Sequence, residues 1–438
     1  MYTSERLHMN SINTRKMAAY LGLCLVYSAF GCEWTWLIEI PGILYLSAHF
    51  MLLPVVLFVC HYLKAFDVFL SDVKLAKTSI WLALFFLSII VLERIHVSAF
   101  DSSIGLDFYI GLVQALLFGV IGYYYGRDGR DILWILGGTA LILSGVSVYS
   151  FLAGNTEPKM TFPTLAVGFP MAYFVLFGFY WYLHAWLASS GVAVRPLLGL
   201  IACSFYVIFS FMKPVIIPAM GGIVFLLLFS VVFNKRNGVY LTRLFVFTCI
   251  AAIIFFSIDV FSGNKISDAM VDKIIYAFLH LDFNQENISL TQLVNYIFLH
   301  DIDLLELASG GRYDLWAAAE ERIRASPLIG SGFGQTSSVL SGVDGSVPFH
   351  NGYLDLLLSV GIAGCIPVLI GIVLWFRSML SRVAINRTNG LLIPVVSYVV
   401  SIMVLNYGGT SRLFPTLSAF IMFLVGLSTG WVRNGGFR

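Results

Sequence analysis

Residues 309–364 read SGGRYDLWAAAEERIRASPLIGSGFGQTSSVLSGVDGSVPFHNGYLDLLLSVGIAG and separate two long apolar parts of the chain. The segment RYDLWAAAEERIRA (312–325) has the apolar spacing of an amphipathic helix, and Pro327 ends it. A region rich in Gly and Ser follows, and a new apolar helix begins after His350. This order predicts a polar segment outside the membrane that leads directly into a membrane-spanning helix.

The composition is that of a membrane protein. Of the 438 residues, 59% are hydrophobic and only 11% are charged, whereas a soluble domain carries about 25% charged residues. The excess apolar surface must face lipid, so the composition predicts a polytopic protein. The spacing of the six cysteines shows no disulfide framework and no metal-ligand pattern. We expect neither a metal nor a cofactor.

The apolar runs predict an all-α protein with about twelve transmembrane helices, because backbone groups in lipid need partners within their own segment. The predicted spans are 17–37, 41–63, 76–95, 105–125, 132–153, 165–187, 196–212, 214–233, 241–261, 351–375, 391–408 and 413–432. The chain therefore divides into nine N-terminal spans (1–261), a loop domain (262–349) and three C-terminal spans (350–438). Within the loop, 289–307 and 312–325 are predicted helices.

Basic residues set the predicted orientation. With the N-terminus in the cytoplasm, most of the 26 Lys and Arg residues fall on the cytoplasmic side. The short outer loops then hold only Arg94, Lys159, Lys213 and Arg412. Both termini are predicted to be cytoplasmic, and the loop domain is predicted to be extracytoplasmic, in the periplasm of a cell with two membranes.

His350 is the strongest catalytic candidate, because it precedes an apolar helix on the predicted outer side. A neutral imidazole near its ordinary pKa can remove a proton from a sugar hydroxyl. Asp355 lies one turn further along and can orient a neighbouring group. Two other interpretations of His350 are an ordinary interfacial residue and a metal ligand, and the absence of a nearby HxxxH, HxxE or Cys disfavours the metal.

Three cations lie at the predicted outer face. Arg312 precedes a helix, where a positive charge opposes the helix dipole. Lys213 stands before Pro214 at the break between two spans, and Arg412 lies in a short outer turn. Each is either a solvated side chain, its stem lying along apolar surface, or a partner for an anionic ligand such as a diphosphate.

The glycine-rich run Gly330–Gly334 is not predicted to bind nucleotide. No strand precedes it and no Gly-Lys-Ser/Thr follows it, and it lies on the predicted outer side of the membrane. It is better interpreted as a turn that allows a close approach of the chain to a neighbouring surface.

The middles of the predicted spans are nearly free of charge. Ion-coupled transporters and pumps usually carry buried ionisable residues along their pathway. The candidate polar groups named above gather instead at the predicted outer face, which favours an enzyme acting on a lipid-anchored substrate.

The stretch resembles the signature region of the bacterial O-antigen ligase and O-antigen polymerase superfamily. That pattern has an Arg and a Trp on a helix, a Pro-x-x-Gly-x-Gly-x-Gly turn, and then His-Asn with a Gly eleven positions after the His. The matching residues are Arg312, Trp316, Pro327, Gly330, Gly332, Gly334, His350, Asn351 and Gly361. The sequence departs from the family at Lys213, where an Arg is common, and at Ser359, where an acid is common.

The resemblance implies a GT-C-like glycosyltransferase that needs no metal and takes an undecaprenyl-diphosphate-linked glycan as donor. It implies that His350 activates the acceptor hydroxyl and that Arg312 binds the diphosphate, and we expect Lys213 and Arg412 to assist. The expected supporting residues are Asn351, Trp316, Asp355, Gly330, Gly332 and Gly361. A single displacement would invert the anomeric centre.

Within this family the expected activity is that of a polymerase of O-antigen or exopolysaccharide repeat units in the bacterial inner membrane. The alternative is a ligase that transfers finished O-antigen to the lipid A core, and an alternative of another class is a transporter or flippase of lipid-linked glycan. The expected partners are the donor, an acceptor glycan or lipid A core, the bilayer, a chain-length regulator and a flippase. No nucleic-acid partner is expected.

Overall fold

A computed structural model describes the chain in blocks, and the structural statements below refer to these blocks. They are 37–40, 43–47, 49–72, 102–128, 131–152, 168–189, 193–209, 213–233, 313–331, 351–385, 392–405 and 415–433, with isolated helical positions between 242 and 257. The described residues form an all-α structure apart from one short hairpin. The predicted spans 17–37 and 76–95 and the predicted helix 289–307 lie almost entirely outside these blocks, and 241–261 is only partly within them.

The hairpin strands are β1 (Leu37–Ile40) and β2 (Ile43–Ser47). The helices are α1 (His49–Tyr62), α2 (Ala65–Asp72), α3 (Ser102–Asp128), α4 (Asp131–Leu152), α5 (Gly168–Ala188), α6 (Val194–Phe209), α7 (Lys213–Phe233), α8 (Tyr313–Ala325), α9 (Gly352–Ile385), α10 (Leu392–Leu405) and α11 (Pro415–Arg433). The spans predicted at 105–125, 132–153, 165–187, 196–212, 214–233, 391–408 and 413–432 fall on α3 to α7, α10 and α11. The amphipathic helix predicted at 312–325 is α8.

The predicted span 41–63 is wrong in its first part. Strands β1 and β2 pair antiparallel, with Leu37 opposite Ser47 and Ile40 opposite Ile43. In the sequence, Pro41-Gly42 separates two short runs of strand-forming residues, and this dipeptide favours a tight turn over a continuous helix. The chain then bends by 66° between Leu53–Tyr62 and Ala65–Ser71.

Helix α5 lies at the centre of the structure and contacts α4, α6, α7 and α10. Its residues from 173 to 187 are almost all buried. The Tyr180 hydroxyl donates to the Pro218 carbonyl of α7 at 2.5 Å and lies 3.1 Å from Ser401 Oγ of α10. The Tyr398 hydroxyl of α10 donates to the Tyr173 carbonyl at 3.0 Å, so these hydroxyls join three helices while remaining satisfied inside an apolar interior.

Helices α3 and α11 pack along much of their length through backbone-to-backbone contacts. A Cβ at Gly122 would collide with the Phe423 carbonyl oxygen, and one at Gly426 would collide with the Gly119 carbonyl oxygen. Positions in α11 rise with positions in α3, so the two helices run parallel. Small residues at a four-residue spacing permit this approach, as they do in tightly packed membrane helices.

One described segment, Leu356–Ser381 of α9, is long and apolar enough to cross a membrane by length and composition. The bent pair α1–α2 would add a second span if the two helices are counted together. Other apolar helices are shorter, namely Ile132–Gly145, Val194–Val207, Leu392–Ile402 and Phe420–Arg433. The number of transmembrane helices therefore stays a prediction.

Candidate functional site

Helix α8 packs against the first part of α9 through a small apolar cluster. Ala319 and Leu358 are fully buried there, and Trp316, Ile323 and Leu354 pack around them. The opposite face of α8 is exposed and carries an ion pair in which Arg324 donates to Glu320 at 2.6 Å. The amphipathic pattern of α8 thus places Trp316 on the face that contacts α9.

The chain leaves α8 through a compact turn that Ser326 closes. The Gly330 N–H donates to the Ser326 carbonyl at 3.0 Å, and Ser326 Oγ donates to the Gly330 carbonyl at 2.7 Å. Gly330 has a φ of 73°, a left-handed conformation that only glycine adopts without strain. The left-handed backbone of this turn therefore requires glycine at position 330.

Helix α9 is interrupted at Gly361, where φ is 62° and ψ is −171°. The predicted span 351–375 is therefore not continuous: a short helix, Gly352–Val360, precedes a longer one that begins at Ile362 and ends at Ile385. The φ and ψ of Gly361 belong to a region that is essentially restricted to glycine. The interruption is caused by a tertiary contact, which sequence periodicity does not contain.

The turn after α8 docks onto this interruption and supplies hydrogen bonds to both helix ends. The Ser331 N–H donates to the Leu358 carbonyl at 2.7 Å. The N–H groups of Ile362 and Ala363 donate to the carbonyls of Pro327 and Leu328, both at 2.9 Å. These bonds satisfy backbone groups that a helix end leaves without partners. We call residues 326–331 and 358–363 together the glycine clasp.

The two glycines of the clasp face each other in close contact. A Cβ at Gly330 would lie 2.6 Å from the carbonyl carbon and oxygen of Ser359. A Cβ at Gly361 would lie 2.5 Å from the Gly330 nitrogen and from the Leu328 carbonyl group. Because the neighbouring atoms are backbone atoms, no side-chain movement can make room for a substitution at either position.

Asn351 caps the N-terminus of α9. Its Oδ1 accepts hydrogen bonds from the N–H groups of Tyr353 at 3.1 Å and Leu354 at 3.2 Å. Asn is among the preferred residues at this position, and the residue is only 3% exposed. This cap was recognisable in the sequence as an Asn directly before an apolar helical run.

The structure brings four of the predicted site residues into one unit, namely Trp316, Gly330, Asn351 and Gly361. His350, Arg312, Arg412 and Gly332 lie outside the described residues. Lys213 is the first residue of α7 and Asp355 lies in the first part of α9, and nothing is described of either side chain. His350 directly precedes the capping residue Asn351, and Arg312 directly precedes α8.

Sequence reasoning missed the residues that connect the two halves of this unit. Leu328 acts through its carbonyl and Ser331 through its N–H, so their side chains give no sequence signal. Pro327 belongs to the motif, but the role of its carbonyl as an acceptor was not predicted. Ser326 is a partial exception, since a Ser following a helix and preceding Pro is a turn-forming combination. In the part of the chain that the structure describes, no group of three or more His, Cys, Asp or Glu residues could hold a metal ion.

Comparison with known proteins finds no protein-family model that matches the chain and no matching curated protein.

Proposed function

We propose that this protein is a polytopic inner-membrane glycosyltransferase that transfers glycan from an undecaprenyl-diphosphate-linked donor to an acceptor sugar hydroxyl, most simply as a polymerase of surface polysaccharide repeat units. The proposal rests on the resemblance of residues 309–364 to the O-antigen ligase and polymerase superfamily. One structural observation carries it further. The two halves of that motif are packed together, with Gly330 against Gly361.

This contact gives the motif spacing a physical reason. The segment between His350 and Gly361 is a capped short helix, Gly352–Val360, with Asn351 at one end and the clasp at the other. The turn at Gly330 requires the interruption at Gly361, because each glycine occupies the space that a Cβ of the other would need. Residues from both halves therefore act as one unit, as expected of a site that combines Arg312 and His350.

Exposed apolar helix faces support the membrane location. Ile362, Ile366, Leu369 and Val373 lie on one face of α9 and are all exposed. Only 28% of the most apolar 18-residue window of α9 is buried, whereas the core helix of a soluble protein would be mostly buried. An apolar face of this size in water would favour aggregation, and lipid removes that cost.

The directions of the helices are consistent with the predicted order of spans. If every span crosses the bilayer, α3 and α11 are the fourth and twelfth spans and run in the same direction, and they pack parallel. The fifth and sixth spans, α4 and α5, should run in opposite directions. Gly137 contacts Trp181 and Ala140 contacts Gly178, which is the antiparallel order.

The proposed mechanism is a single displacement at the outer interface. His350 takes the proton of the acceptor hydroxyl while the acceptor oxygen bonds to the anomeric carbon. The bond to the lipid diphosphate breaks, and the diphosphate leaves with the bonding electron pair. Arg312, Lys213 and Arg412 stabilise the charge that develops on it. The dipole at the N-terminus of α9 can add to this stabilisation, while its Tyr353 and Leu354 N–H groups are bonded to Asn351.

The direct test is an assay with purified protein and a lipid-linked oligosaccharide donor. We expect products extended by whole repeat units. In cells, deletion of a polymerase leaves glycan of a single repeat, whereas deletion of a ligase leaves full-length lipid-linked polymer and an uncapped lipid A core. The second pattern would replace the polymerase with the ligase, and the absence of any glycosyl transfer would contradict both.

A transporter of lipid-linked glycan is the candidate of another class. Among the described residues, the buried polar side chains include His184 but no Asp, Glu, Lys or Arg, whereas a transport path for a charged substrate usually contains several ionisable residues. Vesicles containing the purified protein would separate the two hypotheses. Movement of lipid-linked glycan across the vesicle membrane without formation of a glycosidic bond would favour the transporter.

The proposed topology predicts the behaviour of reporter fusions. An enzyme that is active only outside the cytoplasm should be active when fused near Ser337, because the basic residues cluster on the other side. The same reporter should be inactive when fused near Asn386. Reporter activity and fusion-protein amount should be measured together, and the reverse pattern would remove the proposed site from the outer face.

Replacing Arg312 with alanine should weaken donor binding as well as turnover, since the lost guanidinium is proposed to contact the diphosphate in both the bound and the transition state. Lys213→Arg should retain activity, because both side chains neutralise phosphate. The matched control is Arg324→Ala on α8, which removes an exposed ion pair of little energetic value. Equal KM and kcat for Arg312→Ala and Arg324→Ala would contradict the assigned role.

A further inference from the structure

We propose that the glycine clasp is a positioning element for His350: it holds the short helix Gly352–Val360, and the residues at its N-terminus, in a fixed relation to α8. This inference rests on the proposed function, in which His350 acts as the base. It assigns a role in turnover to Gly361, Gly330 and Ser326, none of which is proposed to contact substrate.

The orientation of the short helix is not fixed by continuity with the rest of α9. At Gly361 the helical backbone is interrupted, so the longer helix from Ile362 to Ile385 does not by itself fix the orientation of the residues before it. At the other end, the Tyr353 and Leu354 N–H groups of the short helix donate to the Asn351 side chain. The orientation of the short helix is therefore set by what packs against its sides and by what bridges the interruption.

Two contacts of this kind are described between α8 with its turn and α9. One is the apolar cluster around Ala319 and Leu358. The other is the clasp, in which Ser331 binds the last turn of the short helix while Pro327 and Leu328 bind the first turn of the longer one. The clasp therefore fixes the position of the short helix relative to both α8 and the longer helix.

The turn also supplies hydrogen-bond partners to the backbone groups on both sides of Gly361. The Leu358 carbonyl and the N–H groups of Ile362 and Ala363 each have a partner in the turn. Without the turn, these groups would need water or another partner, because the end of a helix leaves its backbone groups unpaired. The arrangement is therefore held by backbone hydrogen bonds and by the contact of two glycines, and it resists small displacements.

Such stiffness matters for a base that must meet the acceptor hydroxyl. A misplacement of about 1 Å by a mutation away from the chemistry can reduce the rate by about 100-fold. His350 is joined to Asn351, and Asn351 is held as the cap of the short helix. Loosening the clasp should therefore lower kcat, while the donor-binding cations on other elements keep the KM for donor nearly unchanged.

The first test is Gly361→Ala, with Gly371→Ala as its matched control in the same helix. A Cβ at Gly361 would contact the Leu328 carbonyl at 2.5 Å, whereas one at Gly371 would meet nothing within 4 Å. We expect kcat per folded molecule to fall by about 100-fold for Gly361→Ala, with the KM for donor changed by less than about threefold. Gly371→Ala should behave like the wild type.

The second test uses a milder change that is not expected to prevent folding. Ser326→Ala removes the hydroxyl that donates to the Gly330 carbonyl and should lower kcat by about fivefold. The control is Ser381→Ala, which removes an exposed hydroxyl bonded to the Ser378 carbonyl of the same long helix. This control should leave kcat unchanged.

A disulfide across the clasp supplies the rescue. Leu328 and Ala363 are exposed, and the Ala363 N–H donates to the Leu328 carbonyl at 2.9 Å, so the two residues are close enough to be tested as a cysteine pair. Leu328→Cys and Ala363→Cys should form the disulfide on oxidation when Cys365 is first replaced by alanine. Ser326→Ala is then added to this three-substitution protein. Oxidation should raise its kcat to that of the oxidised protein that keeps Ser326, and reduction should lower it again.

The outcomes separate this inference from the proposed function. If the wild type transfers no glycan, the proposed function fails and the positioning role falls with it. If the wild type is active but Gly361→Ala and Ser326→Ala keep wild-type kcat per folded molecule, or if the disulfide does not restore kcat, only the positioning role is wrong. If the Gly361→Ala variant does not fold, the kcat of Ser326→Ala and the effect of the disulfide decide whether the clasp has a positioning role.

Discussion

Replacing His350 with alanine is expected to lower glycosyl transfer by about 10²–10⁴-fold, the usual contribution of a general base. The acceptor hydroxyl is a weak nucleophile until its proton is removed, and the proposed mechanism gives no other side chain that task. Donor binding should persist, because Arg312, Lys213 and Arg412 are unchanged. The measurement is turnover of a purified lipid-linked donor, with donor binding determined separately.

The control for this prediction is His61→Ala, which removes an exposed histidine at the end of α1. It should leave turnover unchanged. The same assay should be run in chelator, since the mechanism uses no metal. Near-normal turnover by His350→Ala, or loss of wild-type activity on adding chelator alone, would contradict the mechanism.

Gly426→Leu should strongly destabilise the protein. A Cβ at Gly426 would collide with the backbone of α3 at the Gly119 carbonyl, and a leucine adds three further carbon atoms. Overpacking costs about 1–3 kcal/mol where side chains can adjust, and here backbone atoms oppose the new group. We therefore expect α3 and α11 to separate and most of the protein to aggregate.

Smaller substitutions make this prediction measurable. Gly426→Ala and Gly122→Ala should each lower the apparent Tm in detergent, because both introduce a Cβ into the backbone contact. Gly138→Ala and Gly145→Ala in α4 are the controls, since a Cβ at either position meets nothing within 4 Å. Alanine is the better helix former by about 0.5–1 kcal/mol, so these controls should be neutral or stabilising. Equal Tm values for all four variants would show that the α3–α11 contact does not hold the fold together.

The helices were largely predictable from the sequence. In an apolar chain with few charged residues, each long apolar run must pair its own backbone groups, and helix α3 extends predicted span 105–125 by only a few residues at each end. Helix α8 followed from its amphipathic spacing and from Pro327. The hairpin at β1 and β2 was missed because the apolar run continues through Pro41-Gly42, and local turn chemistry outweighed it.

The candidate site was predictable only in part. The motif placed Trp316, Gly330, Asn351 and Gly361 in one stretch, and the structure packs them into one unit. The pairing of Gly330 with Gly361 was not foreseen, because two glycines distant in sequence carry no signal of mutual contact. The roles of His350 and Arg312 remain proposals that the experiments above test.

Two glycines of α9 show which features of the structure could not be predicted from the sequence alone. Gly361 and Gly371 lie in the same apolar helix, and local propensity treats them alike. The helix is interrupted at Gly361, where the turn at Gly330 docks and its backbone takes the hydrogen bonds, while a Cβ at Gly371 would meet nothing within 4 Å and that position remains helical. The sequence alone therefore determined that apolar helices form and roughly where they begin and end. Only the tertiary structure decided which glycine breaks a helix, because that choice depends on a backbone that arrives from another part of the chain.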